Sequence, residues 1–314
     1  MLEEENLILK KAIAIFSHAS SLHALRTMNA VHALRFHHSI KTLCRVLKVN
    51  TSTYYKHFSS SLSAREIENK KLRAAVLSIY SASKKRLGVY KICAVLNREY
   101  GFNVSPGRIY RLMKSMNLPK ISTRRIKFSH ASNPSSGKNI LNRNFSVNTP
   151  NTVWVSDITY IRLNSHFAYL CVVIDLFSRK VISYALITKI NSNLVINAFL
   201  SAFNKRNKPQ NLIFHSDNGS EYTSMAFRRL IDKCNVIQSF SKKGCPYDNA
   251  VAESFFKFLK HEELNRYSFS YLAELKIHVF DYIEGFYNSH RPHSANDMLS
   301  PNEKERLFYK DFST

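Results

Sequence analysis

Paired cysteines are missing from this chain. Its five cysteines (Cys44, Cys93, Cys171, Cys234 and Cys245) are odd in number and show no CxxC spacing. That excludes a disulfide framework and a cysteine-rich zinc module, and it fits a reducing compartment. Long apolar runs are missing as well; no stretch reaches the ~18 apolar residues of a membrane span. The opening MLEEEN is acidic and leads into no apolar signal core, so a soluble, cytoplasmic protein is expected. Acidic residues are scarce: 22 Asp+Glu face 46 Lys+Arg over 314 residues, a net charge of +24. The excess is lopsided. Residues 1–150 carry 26 basic and 6 acidic side chains, whereas residues 151–301 carry 17 and 13 and the remainder balances. Such a front half predicts a module that grips a polyanion, with nucleic acid as its partner, joined to a second domain of another kind.

The basic half reads as helices. Residues 2–16 carry Glu3, Glu4 and Glu5 in the first turn and Lys10 and Lys11 later, as a helix dipole favours. Leu2, Leu9 and Phe16 fall at heptad spacing with Ile13 between, a stripe that suits the end of a zipper completed elsewhere. Residues 39–58 resemble a helix-turn-helix: Ile40, Leu43 and Leu47 share a face, Asn50 marks the turn, and Thr51 or Ser52 can cap the second helix. A second candidate starts at Tyr90–Tyr100, stopped by Gly101, and continues after the Ser105-Pro106 cap. There Ile109, Leu112, Met113 and Met116 make the core stripe, and Arg108, Arg111 and Lys114 line a face open to DNA phosphates. From Ile121 to Pro150 periodicity gives way to Ser, Asn, Pro, Gly, Lys and Arg, the composition of a flexible basic linker. These limits predict domains at 1–60, 61–120, a linker at 121–150, a core at 151–301 and a tail at 302–314.

Beyond the linker the pattern changes. Thr152–Ile161, Phe167–Asp175 and Lys180–Thr188 are β-branched and aromatic runs separated by short turns, which predicts an antiparallel meander. Helices are expected at Asn193–Lys205, Ser224–Cys234 and Tyr247–Leu264, with strands at Leu212–His215 and Val236–Phe240. The order βββαβαβα predicts an α/β mixed sheet with helices packed on it, which is the element order of the ribonuclease-H-like fold. The basic half adds an all-α helix-turn-helix region in front.

Three carboxylates stand out. Asp157 shares a strand face with Val153 and Val155. Asp217, in HSDNGSEY, follows the apolar run Leu212-Ile213-Phe214, just past a strand end where open α/β sheets place their sites. Glu253 sits in AVAESFF beside the face that packs on the sheet, so burial is expected to trouble it as it does Asp157. Like charges about 4 Å apart repel by roughly 4 kcal/mol at an effective dielectric near 20. A pair of divalent cations removes that conflict, and hard oxygen ligands suit Mg²⁺ or Mn²⁺. Two such ions would also make a phosphoryl-transfer site. Asp175, at the end of an apolar strand, is expected to bond the turn that follows it. His290, Arg291 and His293 are expected to close the last helix of the core.

Thirty-five residues separate Asp217 from Glu253. With W-x-x-D-I-T-Y-I, V-I-D-L-F-S-R, H-S-D-N-G-S-E-Y, G-x-x-Y-D-N-A-x-A-E-S-F-F-x-x-L-K-x-E and Y-N-x-x-R-P-H-S in order, the chain resembles the OrfB transposases of insertion-sequence family three, relatives of retroviral integrases. The basic R-L-G-V-Y and R-I-Y-R-L-M match the same family. The resemblance implies a DDE transposase that cuts and joins DNA. Asp157 would bridge two metal ions, Asp217 and Glu253 would each complete one site, and Lys257 and Lys260 would hold DNA phosphates. Water and then a DNA 3′-hydroxyl would attack, without a covalent enzyme–DNA intermediate. The resemblance further implies a homo-oligomer on insertion-sequence ends and target DNA, in a bacterial, nucleoid-associated setting. EEENLILKKAIAIF resembles the end of a leucine zipper from an upstream reading-frame partner. Two features depart from these relatives: no His₂Cys₂ zinc module precedes the core, and Asn296 and Asp297 replace a usual leucine and glycine. Two rival readings stay open, a DNA-binding regulator with an inert back half and a decayed, inactive copy.

Overall fold

The computed structural model describes residues 2–17, 23–58, 63–119, 138–164, 166–242 and 246–311. The chain divides into two compact units, Met1–Leu72 and Arg73–Thr314. In the first, α1 (Leu2–Ser17), α2 (His23–Leu34), α3 (Ile40–Val46) and α4 (Thr51–Phe58) bury one cluster. Ile8 and Ala12 meet Ala30, Val31 and Leu34, and Leu43, Cys44, Leu47 and Tyr54 close the cluster. The buried positions of α1 are therefore not its heptad stripe: Leu9 and Ile13 are exposed, and the Leu2 and Phe16 side chains lie outside the described residues. The α3–α4 pair forms as expected, with one correction. Asn50, rather than Thr51 or Ser52, caps α4, its Oδ1 accepting the Ser52 N–H at 2.9 Å while Thr51 is already helical. An amide oxygen two residues upstream of a free N–H is the better placed acceptor. Helix α5 (Ala64–Ala82) starts with a capping box, in which Ser63 Oγ accepts from Glu66 N and Glu66 Oε2 accepts from Ser63 N.

In the second unit, α6 (Val89–Glu99) and α7 (Pro106–Ser115) pack together through Ile92, Val95 and Leu96 and through Ile109, Leu112 and Met113. Gly101 takes φ +67 just beyond α6, and Ser105 caps α7 ahead of Pro106, as the sequence predicts. The sheet follows: β1 (Val153–Leu163), β2 (His166–Asp175), β3 (Val181–Ile187), β4 (Ile213–Ser216) and β5 (Ile237–Phe240), in the order β3-β2-β1-β4-β5. Strands β1 to β3 form the antiparallel meander, and β4 and β5 add in parallel on the other side of β1. The result is the expected mixed sheet. Helices α8 (Ser192–Lys205), α9 (Ser220–Thr223) and α10 (Met225–Lys233) cover one face. There the Phe199 ring lies within 6.5 Å of those of Trp154, Phe203, Phe214 and Phe227, an aromatic core that dominates the burial energy.

A 3₁₀ turn (Pro246–Asn249) leads into α11 (Ala250–Glu262), then α12 (Leu272–Phe280), which continues as π-helix through Asp281–Tyr287, and α13 (Pro301–Asp311). Two expected boundaries are corrected. Residues 121–137 of the expected linker lie outside the described residues, but 138–150 are laid against the core: Ile140 and Leu141 donate their N–H groups to Ser239 Oγ, and Leu141 is buried. Residues 302–311 are not a tail. Buried Glu305 of α13 bonds Ser178, Lys180 and Arg206 of the core. Asp175 behaves as expected, with Oδ1 accepting from Phe177 N and Oδ2 from Asn151 N, at 2.9 and 2.8 Å. At the departing pair, Asn296 is buried and donates to Ser178 O, while Asp297 takes φ +52, a left-handed site where glycine would rest without strain.

Candidate active site

Strand register brings the first two carboxylates together. The parallel β1–β4 ladder ends at Val155↔His215, so Asp157 and Asp217 each lie two residues beyond the same rung. The third arrives on α11, whose entry is pinned to β1 beside Asp157 by Asn249 Nδ2 donating to Ser156 O at 3.2 Å. Glu253 stands in the first turn of that helix. The electrostatics register this approach. Desolvation, then the charge of Asp217, then that of Glu253 push the Asp157 carboxyl well above the usual aspartate range, against the Ile158 N–H at 2.8 Å and the Lys260 ammonium.

The arrangement also corrects one expectation. Glu253 is exposed, as is Asp217, because it lies on the solvent side of α11 while Ala252 and Phe255 take the buried side; Asp157 is half-buried. Among the described residues, no three His, Cys, Asp or Glu side chains converge as a ready-made metal cage. The donor chemistry nevertheless fits a hard cation. Three carboxylates share one field, and the softer groups nearby are engaged. Burial pushes the Cys171 thiol up to about 12. His215 is buried with both ring nitrogens on serines, Nδ1 to Ser239 Oγ and Nε2 to Ser241 Oγ, and burial lowers it to about 4.

Several motif residues that sequence reasoning left without a role turn out to hold this frame. Tyr222, from the end of HSDNGSEY, is buried with its hydroxyl 2.7 Å from Ser156 Oγ, next to Asp157. Asp248, from the YDNA run, is buried and accepts from Asn139 Nδ2, Arg143 Nε and Lys242 N, which ties both approaches to α11. Gly219 permits a close pass: a Cβ there would lie 3.0 Å from Asp217 Oδ1 and 3.3 Å from Glu221 Oε2. The only signal available for these roles was membership of an unbroken motif.

The basic candidates spread over two places. Lys260 is half-buried, with its ammonium 5.2 Å from the centroid of the Tyr160 ring; burial lowers its pKa, opposed by the Asp157 charge. Lys257 is exposed one turn earlier on α11. On α7, Arg111 and Lys114 are exposed and Arg108 is half-buried, away from the buried Ile109, Leu112 and Met113.

At the far end of α11 lies a second acidic cluster, this one matched by cations. Glu262 accepts from Arg291 Nε and an Arg291 amino group, each at 2.8 Å, from Tyr282 Oη and from Lys91 Nζ. Burial alone would raise the Glu262 carboxyl, but Arg291 and Lys91 outweigh it and leave it below the usual range. Glu263 and Asp281 share Arg86, and Lys84 also bonds Asp281. Arg86 and Arg291, from the R-L-G-V-Y and R-P-H-S motifs, are 3% and 1% exposed. They serve the frame and are closed to DNA. This agrees with the expectation that Arg291 closes the end of the core.

Comparison with known proteins places these features in a group. An integrase core domain matches residues 147–246 and 235–301, and an HTH-like domain matches residues 66–127. The transposase for insertion sequence element IS904 of Lactococcus lactis subsp. lactis (strain IL1403) is 35% identical over 247 residues, 78% of this chain and 97% of the relative. Transposase InsF for insertion sequence IS3A of Escherichia coli (strain K12) is 35% identical over 274 residues, 85% of this chain and 94% of the relative. Among solved structures, the HTLV-2 integrase catalytic core domain in complex with magnesium is 27% identical over 38% of this chain and 72% of its own, with a TM-score of 0.31.

Proposed function

This chain belongs to the transposases of insertion-sequence family three and acts in DNA transposition, and on that premise we propose that Asp157, Asp217 and Glu253 form its catalytic centre. The observation that carries the reading is the Asp157 carboxyl, half-buried two residues beyond the β1–β4 rung and raised by desolvation and by both other acids. Such a site is costly as it stands and is relieved by a divalent cation. Asp157 would hold Mg²⁺, or Mn²⁺ in its place, with Asp217 and Glu253 each completing one of two ion sites. Bound divalent cations would activate the attacking oxygen and stabilise the leaving one at the scissile phosphodiester. Asp217 and Glu253 are exposed, so closing on the site asks for side-chain rotation rather than repacking of the core.

The remaining residues bind and orient. Lys260, already in the field of Asp157, and Lys257 would neutralise phosphates of the DNA entering beside them. Arg108, Arg111 and Lys114 would grip the element end through its backbone, which makes affinity fall steeply with salt. Two DNA ends must be held together for joining, so the working form is proposed to be a homo-oligomer on DNA, with an upstream reading-frame partner as a further component. No feature of the described residues favours the rival readings of a regulator or a decayed copy.

The test is strand cleavage and joining on element-end DNA with Mg²⁺, alone and with the upstream partner. Asp157→Asn, Asp217→Asn and Glu253→Gln should each reduce joining to background while leaving DNA binding within a few-fold of wild type. Joining that survives these changes would remove the assignment.

A further inference from the structure

The β1–β2 hairpin reaches well past the carboxylates. Its ladder continues to Leu163↔His166, whereas the β1–β4 ladder stops at Val155↔His215. On this extension Tyr160 pairs with Tyr169 and Arg162 with Phe167, so Tyr160 and Phe167 are diagonal neighbours on one face. Their rings meet edge to face, 5.5 Å apart at 85°. Tyr160 is 49% exposed and Phe167 43% exposed, an apolar expense that core packing does not explain. The third member is Lys260, whose ammonium lies over the Tyr160 ring at 5.2 Å and also acts on the Asp157 carboxyl. One cation thus links the ring pair to the candidate catalytic acid. Along the strand, Tyr160 follows Asp157 by three residues, about 10 Å at ~3.3 Å per residue, or about three base rises of ~3.4 Å. The odd offset sets the two side chains on opposite strand faces, and Lys260 is the group that reaches both.

We propose that Tyr160 and Phe167, with Lys260 beside them, form a stacking site for an unpaired nucleobase at the end of the bound DNA. The inference rests on the catalytic reading above and extends it. Bringing a terminal phosphodiester down to Asp157 loosens the last base pairs, and a displaced base needs a surface to replace its lost stack. Exposed aromatic rings next to a cation supply one: every base has a π-face, and the ammonium can meet the adjoining phosphate. Recognition of this kind tolerates sequence, so it would hold the end without selecting it.

The experiment is a cycle on the full chain. Affinity for element-end duplexes is measured by fluorescence anisotropy with natural ends and with abasic sites placed one at a time at the three terminal nucleotides of each strand. Tyr160→Ala should weaken binding of the natural end by about 10-fold, from stacking losses typical of one base, and Tyr160→Phe should restore it. At one abasic position wild type should bind as weakly as Tyr160→Ala, with the two losses not adding. Phe167→Ala should show the same non-additivity with a smaller loss. Equal losses on natural and abasic ends at every position, or no loss from Tyr160→Ala, would overturn the proposal. Thermal melting of Tyr160→Ala within a few degrees of wild type shows that folding is intact; if it melts early, the Tyr160→Phe and Phe167→Ala cycles decide. Failure of wild type to join DNA would count against the catalytic reading, whereas additivity in a joining-competent protein would count against the stacking site alone.

Discussion

Helix α11 has two acidic neighbourhoods that differ in one respect. Near its start, Asp157 is raised by desolvation and by Asp217 and Glu253, with Lys260 too weak to restore it. At its end, Glu262 and Asp281 are held below the usual range because Arg291, Lys91, Arg86 and Lys84 outweigh their burial. Both regions collect carboxylates in protein surroundings, but only one supplies the cations. A matched cluster is complete and has no call for anything from solution. An unmatched one beside exposed acids retains an appetite for positive charge, which is the property the proposed function draws on. Placing both on one helix also anchors Glu253: the buried ion pairs at the far end hold the rod whose first turn carries it.

The contrast can be broken in the matched region first. Arg291→Met leaves Glu262 buried with only Lys91 to answer it, and should cost about 3–5 kcal/mol in urea unfolding, with no recovery on adding Mg²⁺. His293 tests the same surroundings by pH. Burial and then the Arg291, Arg179 and Lys91 charges lower it to about 3, and its neutral Nδ1 accepts the Ala295 N–H. Because its folded pKa lies below the unfolded value near 6.5, the unfolded chain takes up the proton first as pH falls. The stability tied to neutral His293 is therefore complete above about pH 6.5 and declines on acidification, by up to about 1.4 kcal/mol per pH unit. His293→Asn should flatten that slope, seen as a shrinking gap in urea midpoints between pH 6.5 and 4.

In the unmatched region the signs reverse. Asp157→Asn removes the disfavoured charge, so the metal-free protein should melt higher than wild type at pH 7 while losing any stabilisation by Mg²⁺. A wild type that gains nothing from Mg²⁺, or an Asp157→Asn variant that melts lower in chelator, would erase the difference between the regions. Gly219→Ala sharpens it: the added Cβ, 3.0 Å from Asp217 Oδ1, should displace that carboxylate. Joining should slow by roughly 10- to 100-fold while stability changes by less than about 1 kcal/mol. The smallest effect belongs to Lys84→Ala, whose exposed pair with Asp281 should contribute about 0.2–1 kcal/mol or less.

The legible parts were those with local patterns. The β-branched runs marked all five strands, Gly101 and Ser105-Pro106 marked the end of α6 and the start of α7, and the three candidate acids stood within contiguous motifs, Asp157 inside β1, Asp217 just past β4 and Glu253 in the first turn of α11. The missed parts depend on partners far along the chain. Residues 138–143, Lys-Asn-Ile-Leu-Asn-Arg, look like linker because they lack a helix or strand period and follow a Ser- and Asn-rich stretch, yet their backbone groups bond Ser239 and their side chains bond Asp248. Helix α13 looks like a charged tail until Glu305 finds Arg206. Arg86 sits in a basic motif and Arg291 was expected only to close the last helix of the core; nothing local says that each faces a glutamate across the fold. Burial of Glu253 was expected from its apolar neighbours, but those neighbours take the buried side of α11 and Glu253 is left in solvent.

The amino-acid order alone determined the elements, their alternation, the lopsided charge and which three acids stand as candidates, because each follows from short-range periodicity, capping or a contiguous motif. Only the tertiary structure decided which charges are matched. Whether a carboxylate or a guanidinium is satisfied depends on what stands within a few ångströms of it, and around α11 the arginine and lysine partners come from 29 to 197 residues away.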